Sequence, residues 1–277
     1  MADNPFPAVI TFTSDFGTKD GYVGIVKGVM LSINRSAQLV DITHEVEPFS
    51  IGSAAWIIYN AYDHFPSDAI HVVVIDPGVG SSRRGVLLQV GEQKFIGPDN
   101  GIFSLILQDP LRKRDNDCSI SAVELATESD FYAPTGVSNT FHARDVYARV
   151  AAHTSLGVRP EECGKRISAA SLIVSTDLEF SKNETLIRGR VAHIDHFGNL
   201  ITNIPSHCLT DHSICTVDGK PVGEPKTTYQ SVPKGELVAL RGSHGFLEIA
   251  CCEGRADAAL GTRNGSSVLV QLKISDR

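Results

Sequence analysis

The sequence predicts an N-terminal α/β domain with a largely parallel central sheet, residues 1–182, followed by a smaller, antiparallel, barrel-like β domain, residues 183–277. Three observations predict it. Residues 72–75 (VVVI) are a short, continuous apolar run that ends in Asp76 and the glycine-rich turn 77–80, as in a parallel strand covered on both faces. Before residue 180, such runs alternate with stretches of helical apolar spacing, which is the α/β signature. After residues 180–185 (FSKNET), the runs are short and separated by turns, with little helical periodicity, which predicts antiparallel strands.

Taken in order, residues 9–12 form a first strand that stops at Thr13-Ser14-Asp15-Phe16-Gly17, so an acid stands just past a strand end. Residues 21–33 carry Tyr22, Val23, Val26, Val29, Met30 and Ile33 at helical spacing, an amphipathic helix suited to pack on the sheet. Residues 38–42 are a second strand with a polar end, Asp41, Thr43, His44 and Glu45. A lone histidine there is read as solvated or locally hydrogen-bonded before it is read as a site residue. Residues 53–65 are a helix with Trp56, Ile57, Tyr59, Tyr62 and Phe65. Core is the ordinary role of such a stripe, and a pocket wall is the second reading.

The central strand puts Asp76 at its carboxyl end, the edge of an open α/β sheet where ligands bind. Its turn then carries Ser81, Ser82, Arg83 and Arg84 back toward that acid. Residues 86–90 and 94–96 are further strands about a turn at 91–93. Gly97-Pro98-Asp99-Asn100-Gly101 leads into a helix at 102–107, with Asp99 and Asn100 expected to cap it and shape the turn. Residues 109–122 are polar and read as a surface connection. Residues 136–149 place Thr140, His142, Arg144 and Asp145 at the start of another helix, with Asp145 pairing to Arg149 at i,i+4.

Beyond the expected boundary near residue 182, strand-like runs occupy 186–194, 200–204, 214–217, 236–240, 246–250 and 268–274. Two turns among them are rich in functional groups: His193-Ile194-Asp195-His196-Phe197-Gly198-Asn199 and Gly242-Ser243-His244-Gly245. The acid, ring and amide of the first suit an amine, a flat ring and a ring edge, though either turn alone is also simply a hairpin.

Composition narrows the classes of function. A chain of 277 residues, 42% hydrophobic, buries a sizeable core. A net charge of −7 with scattered arginines gives no basic footprint for nucleic acid. No apolar run approaches the roughly 20 residues of a membrane span, and MADNPFPAV lacks the charged and apolar regions of a signal peptide, so a cytoplasmic protein is expected. The six cysteines, at 118, 163, 208, 215, 251 and 252, form no CxxC pair and are read as buried free thiols, with neither a disulfide framework nor a structural metal.

In combination, TSDFG, DPGVGSSRR, GPDNG, TFHARD, HIDHFGNLITNI and GSHGFLEIA, in this order from Thr11 to beyond Ala250, resemble the S-adenosyl-L-methionine hydroxide adenosyltransferases, relatives of the fluorinase and chlorinase. The resemblance implies a homotrimer whose ligand lies between one subunit's N-terminal domain and a neighbour's C-terminal domain. It implies attack of water or hydroxide on the 5′ carbon of S-adenosyl-L-methionine, giving adenosine and L-methionine, with no cofactor and no metal. By the same match Asp76, Arg83 and His142 are the catalytic set, Asp15 binds the ribose hydroxyls, Phe197 and Asn199 hold adenine, Asp195 takes the methionine ammonium, Ser243 its carboxylate, and Trp56 lines the pocket.

Two positions depart from the family. Ala143 stands where its hydrolases usually have glycine, adding a methyl beside the nucleophile, and His244 stands where the halogenases carry arginine. Two other readings remain open, a 5′-halogenase and a nucleoside-binding protein without turnover. Against the first stand Asp76, Arg83 and His142 and the short chain between Gly101 and Phe131; against the second, binding alone does not require all three.

Overall fold

The alternation inside the central apolar run decides the layers of the first unit. In the computed structural model, which describes residues 6–108, 119–126 and 136–272, Val72 and Val74 join a buried cluster with Phe12, Met30 and Val150. Val73 and Ile75 join a second cluster with Ala54, Ile58 and Ile106. A strand covered on both faces has no position at which a polar side chain reaches water, so the run is apolar throughout.

The sheet contains β1 (Val9–Ser14), β2 (Gln38–Thr43), β3 (Ile70–Val74), β4 (Gly85–Val90), β5 (Gln93–Pro98), β6 (Ile120–Leu125) and β7 (Gly164–Ile167) in the order β2-β1-β3-β5-β4-β6-β7. β1 pairs in parallel with β2 and β3, and β3 with β5. β4, β6 and β7 add antiparallel pairings. The sheet is therefore parallel on the half that carries β1 and β3 and antiparallel on the other. The reason is local: Gly91 and Glu92 alone join β4 to β5, far too short a connection for a parallel crossover. Helices α1 (Tyr22–Ile33) and α4 (Ala148–Thr154) supply the first cluster, and α2 (Ile51–Ala61) and α3 (Ser104–Gln108) the second. A π-helical turn, Ala143–Tyr147, leads into α4.

The chain divides into two compact units, Met1–Val174 and Ser175–Arg277, so the break precedes the expected boundary near 182. The strand β8 (Ser181–Lys182) explains the difference, because it pairs with β9 (Leu186–Ile194) and joins the second unit's sheet. That sheet continues through β10 (Leu200–Pro205), β11 (Ile214–Val217), β12 (Lys220–Gly223), β13 (Pro225–Lys226), β14 (Leu237–Arg241), β15 (Phe246–Cys251) and β16 (Ser267–Gln271), in the order β12-β11-β16-β9-β10-β15-β14-β13. β12, at one end of the order, lies close to β14 near the other, so the sheet curls into a nearly closed barrel around Ile187, Leu200, Leu247 and Val268. A short helix, α5 (Ala256–Leu260), packs on it.

Cys163, Cys208, Cys215, Cys251 and Cys252 are buried, and none of them forms a disulfide among the described residues. Cys118 and most of the 109–122 connection lie outside the described residues. No helix among the described residues is long and apolar enough to cross a membrane.

Candidate active site

Two acids leave the sheet side by side. β1 and β3 are adjacent parallel strands with Ser14 opposite Val74, so Asp15, one residue past β1, and Asp76, two past β3, emerge at the same carboxyl edge. Strand ends of this kind are where an open α/β sheet accepts ligands. Both line a cavity of about 420 Å³, together with Tyr22, Phe49, Phe141 and His142. That volume suits a small organic ligand.

At the cavity's edge three side chains converge. Arg83 Nε donates to Asp76 Oδ1 at 2.7 Å, and Arg83 Nη2 donates to Asp76 Oδ2, a two-pronged ion pair nearly closed to solvent. Arg83 Nη2 also lies 3.0 Å from His142 Nδ1. Guanidinium has only donors, so Nδ1 accepts and the neutral ring carries its proton on Nε2, an assignment that follows from the network. Burial holds the imidazole below its usual pKa, and the Arg83 charge adds to this, while Asp76 and Asp145 oppose it. His142 is neutral at neutral pH.

The backbone around this set is built for close approach. Ser81 Oγ donates to Gly78 O at 2.7 Å and accepts from Arg83 N at 3.3 Å, which folds the turn so that Arg83 returns to Asp76. Gly80 has φ +77, and a Cβ there would run into the carbonyl oxygen of Asn139, three residues before His142. Only glycine allows the two segments to touch this way. Asn100 Nδ2 donates to Ile75 O at 2.9 Å, tying down the residue before Asp76. Asp99 serves a different end from capping: it accepts from Arg84 Nε at 3.0 Å and from Ile173 N at 2.8 Å. Asp145 pairs not with Arg149 but with its neighbour Arg144, at 2.6 Å, and accepts from Ser138 N at 2.9 Å. The π-helical turn changes the spacing on which an i,i+4 pair depends.

Two residues in or near this site escaped the sequence reading. Phe49, 71% exposed and with φ +69, stands on the cavity wall, and its N–H donates to Asp15 Oδ2 at 2.9 Å. Trp56 does not share that wall: it is buried on α2 and packs beside Tyr59, and the aromatic wall is formed by Phe16, Tyr22, Phe49 and Phe141. Phe49 sits alone in a loop, without a period to mark it, so the sequence does not announce it. Tyr147 lies fully buried with the Arg83 guanidinium 5.7 Å above its ring. Burial raises its phenol's pKa, with Asp76 adding and Arg83 opposing. Ala143, the departure noted beside His142, is buried on the cavity wall.

In the second unit, Asp195 organises the turn between β9 and β10. Its carboxylate accepts from Asn199 N and Asn199 Nδ2, both at 2.9 Å, so these two candidates are partners of each other. Gly198, with φ +83, packs so closely on Arg255 and Asp257 that no side chain fits. The turn leaves Phe197 71% exposed. Ser243 is exposed in the turn between β14 and β15. Its neighbour His244 faces inward: Nδ1 accepts from Phe246 N at 3.2 Å, and Nε2 lies 3.3 Å from the buried Glu248. Tyr229, which the sequence reading also passed over, donates to Glu248 Oε1 at 2.7 Å; burial, that bond and the charges of Glu248 and Asp195 all raise its pKa.

Two acids at parallel strand ends, with arginine and a neutral histidine beside one of them, define a polar ligand site at the carboxyl edge of an α/β sheet. The chain matches the family models for the SAM hydroxide adenosyltransferase N-terminal domain over residues 10–164 and C-terminal domain over residues 189–269, and it belongs to that family. It is 34% identical over 261 residues to the (R)-S-adenosyl-L-methionine hydrolase of Thermus thermophilus, covering 94% of this chain and 98% of that one. A fluorinase from Nocardia brasiliensis stands further off, at 25% over 302 residues, 96% and 97% of the two chains. Among solved structures, an uncharacterized conserved protein from Thermotoga maritima superposes with a TM-score of 0.82 at 34% identity, over 94% of this chain and 99% of that one.

Proposed function

We propose that this protein hydrolyses S-adenosyl-L-methionine at the 5′ carbon, with Asp76, Arg83 and His142 preparing the water. The observation that carries this reading is the hydrogen-bonded Asp76–Arg83–His142 set, whose Asp76 and His142 line the cavity that also holds Asp15. One oxygen of water bonds to the 5′ carbon as the carbon–sulfur bond breaks, its electron pair staying on sulfur. The products are adenosine, L-methionine and a proton. A sulfonium is already a good leaving group, so alignment of a desolvated nucleophile behind the carbon is the main task.

The tautomer of His142 divides the labour. Its Nδ1 is taken by Arg83, so Nε2–H holds the water by donating to its oxygen, while Asp76 accepts the proton. Arg83 keeps Asp76 in place and stabilises the hydroxide-like charge that develops. Asp15 receives the ribose hydroxyls: Oδ2 already accepts the Phe49 N–H, which fixes the carboxylate's orientation. Phe197 and Asn199 hold adenine, Asp195 the methionine ammonium and Ser243 its carboxylate. The inward bonding of His244 leaves the carboxylate to Ser243 and the turn's backbone. Because these groups belong to the second unit, we assign the complete site to a homotrimer, each ligand lying between one subunit's first unit and a neighbour's second. The exposed rings of Phe49 and Phe197 suit such an interface. The reaction as written uses water alone, without cofactor or metal, and we place the protein in the cytoplasm, with no membrane or nucleic-acid partner.

Purified protein given S-adenosyl-L-methionine without halide should yield adenosine and methionine in equal amounts on chromatography, and sedimentation should show a trimer. A 5′-halogenated nucleoside formed only when halide is added would make it a halogenase. Tight nucleoside binding with no product would make it a binding protein.

A further inference from the structure

The segment that follows β2 closes over the loop that bears Asp15 at four points. His44 Nδ1 lies 2.8 Å from Ser14 Oγ, and the His44 carbonyl accepts from Gly17 N at 2.8 Å. Thr18 Oγ1 donates to Glu45 Oε1 at 3.0 Å, and Phe49 N donates to Asp15 Oδ2. His44 is the centre of this bracket, holding the loop on both sides of Asp15, and it is buried, 4% exposed, with its ring on the edge of Phe12. The sequence reading left it a solvated or locally bonded residue at a strand end; besides a local partner in Asp41, it has one thirty positions away in the chain.

The ring is itself held. Nε2 lies 3.1 Å from Asp41 Oδ1, within ion-pair distance though out of line for a strong hydrogen bond, and Asp41 Oδ2 accepts from Lys27 Nζ at 2.8 Å. With Nε2–H turned to the carboxylate, Nδ1 is the acceptor, Ser14 O–H the donor, and the Ser14 oxygen accepts from Phe16 N at 3.4 Å. A slip in the β1/β2 register, Phe12 opposite Asp41 but Thr13 opposite Thr43, brings His44 level with Ser14. Bulges re-aim side chains in this way next to functional sites. Phe49, whose φ of +69 is unfavourable for a residue with a side chain, is held in that conformation at the end of the same segment.

We infer that His44 is a positioning residue: acting through Ser14 and the Gly17 amide, and steadied by Asp41 and Lys27, it sets the Asp15 carboxylate at the depth and angle that the substrate's ribose requires. It touches neither the cavity nor the reacting atoms. The inference rests on the functional reading only in naming the ribose as what Asp15 holds.

The test measures hydrolysis of S-adenosyl-L-methionine and, separately, adenosine affinity by calorimetry, for the full-length parent, His44→Leu, Ser14→Ala, the double variant and His44→Asn. A positioning role raises KM and the adenosine Kd by about tenfold in His44→Leu while kcat stays within threefold, because Asp76, Arg83 and His142 lie outside the bracket. The double variant should be no worse than His44→Leu alone, since both remove one interaction. His44→Asn, whose amide lies near the position of Nδ1, should recover most of the loss. KM and Kd within twofold of the parent in both single variants would overturn the inference, as would a fall in kcat at unchanged KM, or additive losses in the double variant. If His44→Leu does not fold, Ser14→Ala and His44→Asn decide by the same criteria. A parent that binds adenosine but turns nothing over defeats the functional reading alone and leaves Kd to judge His44; a parent that does neither defeats both.

Discussion

Replacing Gly80 with alanine should uncouple the two segments that bring Arg83 and His142 together. Gly80 has φ +77, a conformation that costs a residue with a side chain about 1–2 kcal/mol. The added methyl would also meet the Asn139 carbonyl far inside the contact distance of about 3.5 Å, so the turn and the 138–142 segment must part by about 1 Å. Backbone strain and lost packing together should lower stability by about 2–4 kcal/mol, or a Tm drop of about 5–15 °C for a unit of this size. The shift falls directly between Arg83 and His142. A displacement of about 1 Å in aligned groups lowers turnover by about 10²-fold. The assays are thermal unfolding and steady-state release of adenosine, with KM nearly unchanged because Asp15 is not displaced. Wild-type kcat together with an unchanged Tm would show that the turn does not clamp the loop and that the Gly80–Asn139 approach is without consequence.

Asp76→Ala and His142→Ala should each lower kcat by about 10²-fold or more while leaving KM nearly unchanged, whereas Asp15→Ala should raise KM by at least about tenfold, the scale of a hydrogen bond to a charged group; wild-type turnover in His142→Ala would refute the division of roles. His142 must stay neutral to accept from Arg83, and its pKa is depressed, so the acid limb of the kcat profile should lie below the ordinary imidazole value of about 6.5. Removing the positive charge with Arg83→Leu should move the protonation of His142 to higher pH, and Asp76→Asn should move it lower still, as NMR titration of the ring would show. The same depression makes a contribution to stability that is complete above the unfolded value and is lost as pH falls from about 6.5 through the native value, so a denaturation midpoint that rises on acidification across that window would contradict it.

Periodicity and local chemistry suffice for part of this protein, and for physical reasons. A strand covered on both faces must be apolar at every position, so residues 72–75 announce a central strand, and an acid after such a strand stands at the edge where ligands bind. The amphipathic helices and the short strands of the second unit are legible for the same reason, since each bears the period of its own burial. Asp15, Asp76 and Arg83 could be singled out because they flank strand ends and turns. What a period cannot encode is which distant segments meet. The mixed character of the sheet follows from a connection of two residues between β4 and β5; the binding of Asp195 to Asn199, the exchange of Asp145's partner, and the roles of Phe49, Tyr147 and Tyr229 follow from contacts across the fold. His44, read as a solvated or locally bonded strand end, proves to be the buried centre of the bracket over Asp15, while Trp56, whose stripe reads as core first and pocket wall second, is buried in the core. For His44 the neighbours along the chain say little about its environment, because burial and hydrogen bonding are set by whatever element the tertiary structure packs against it.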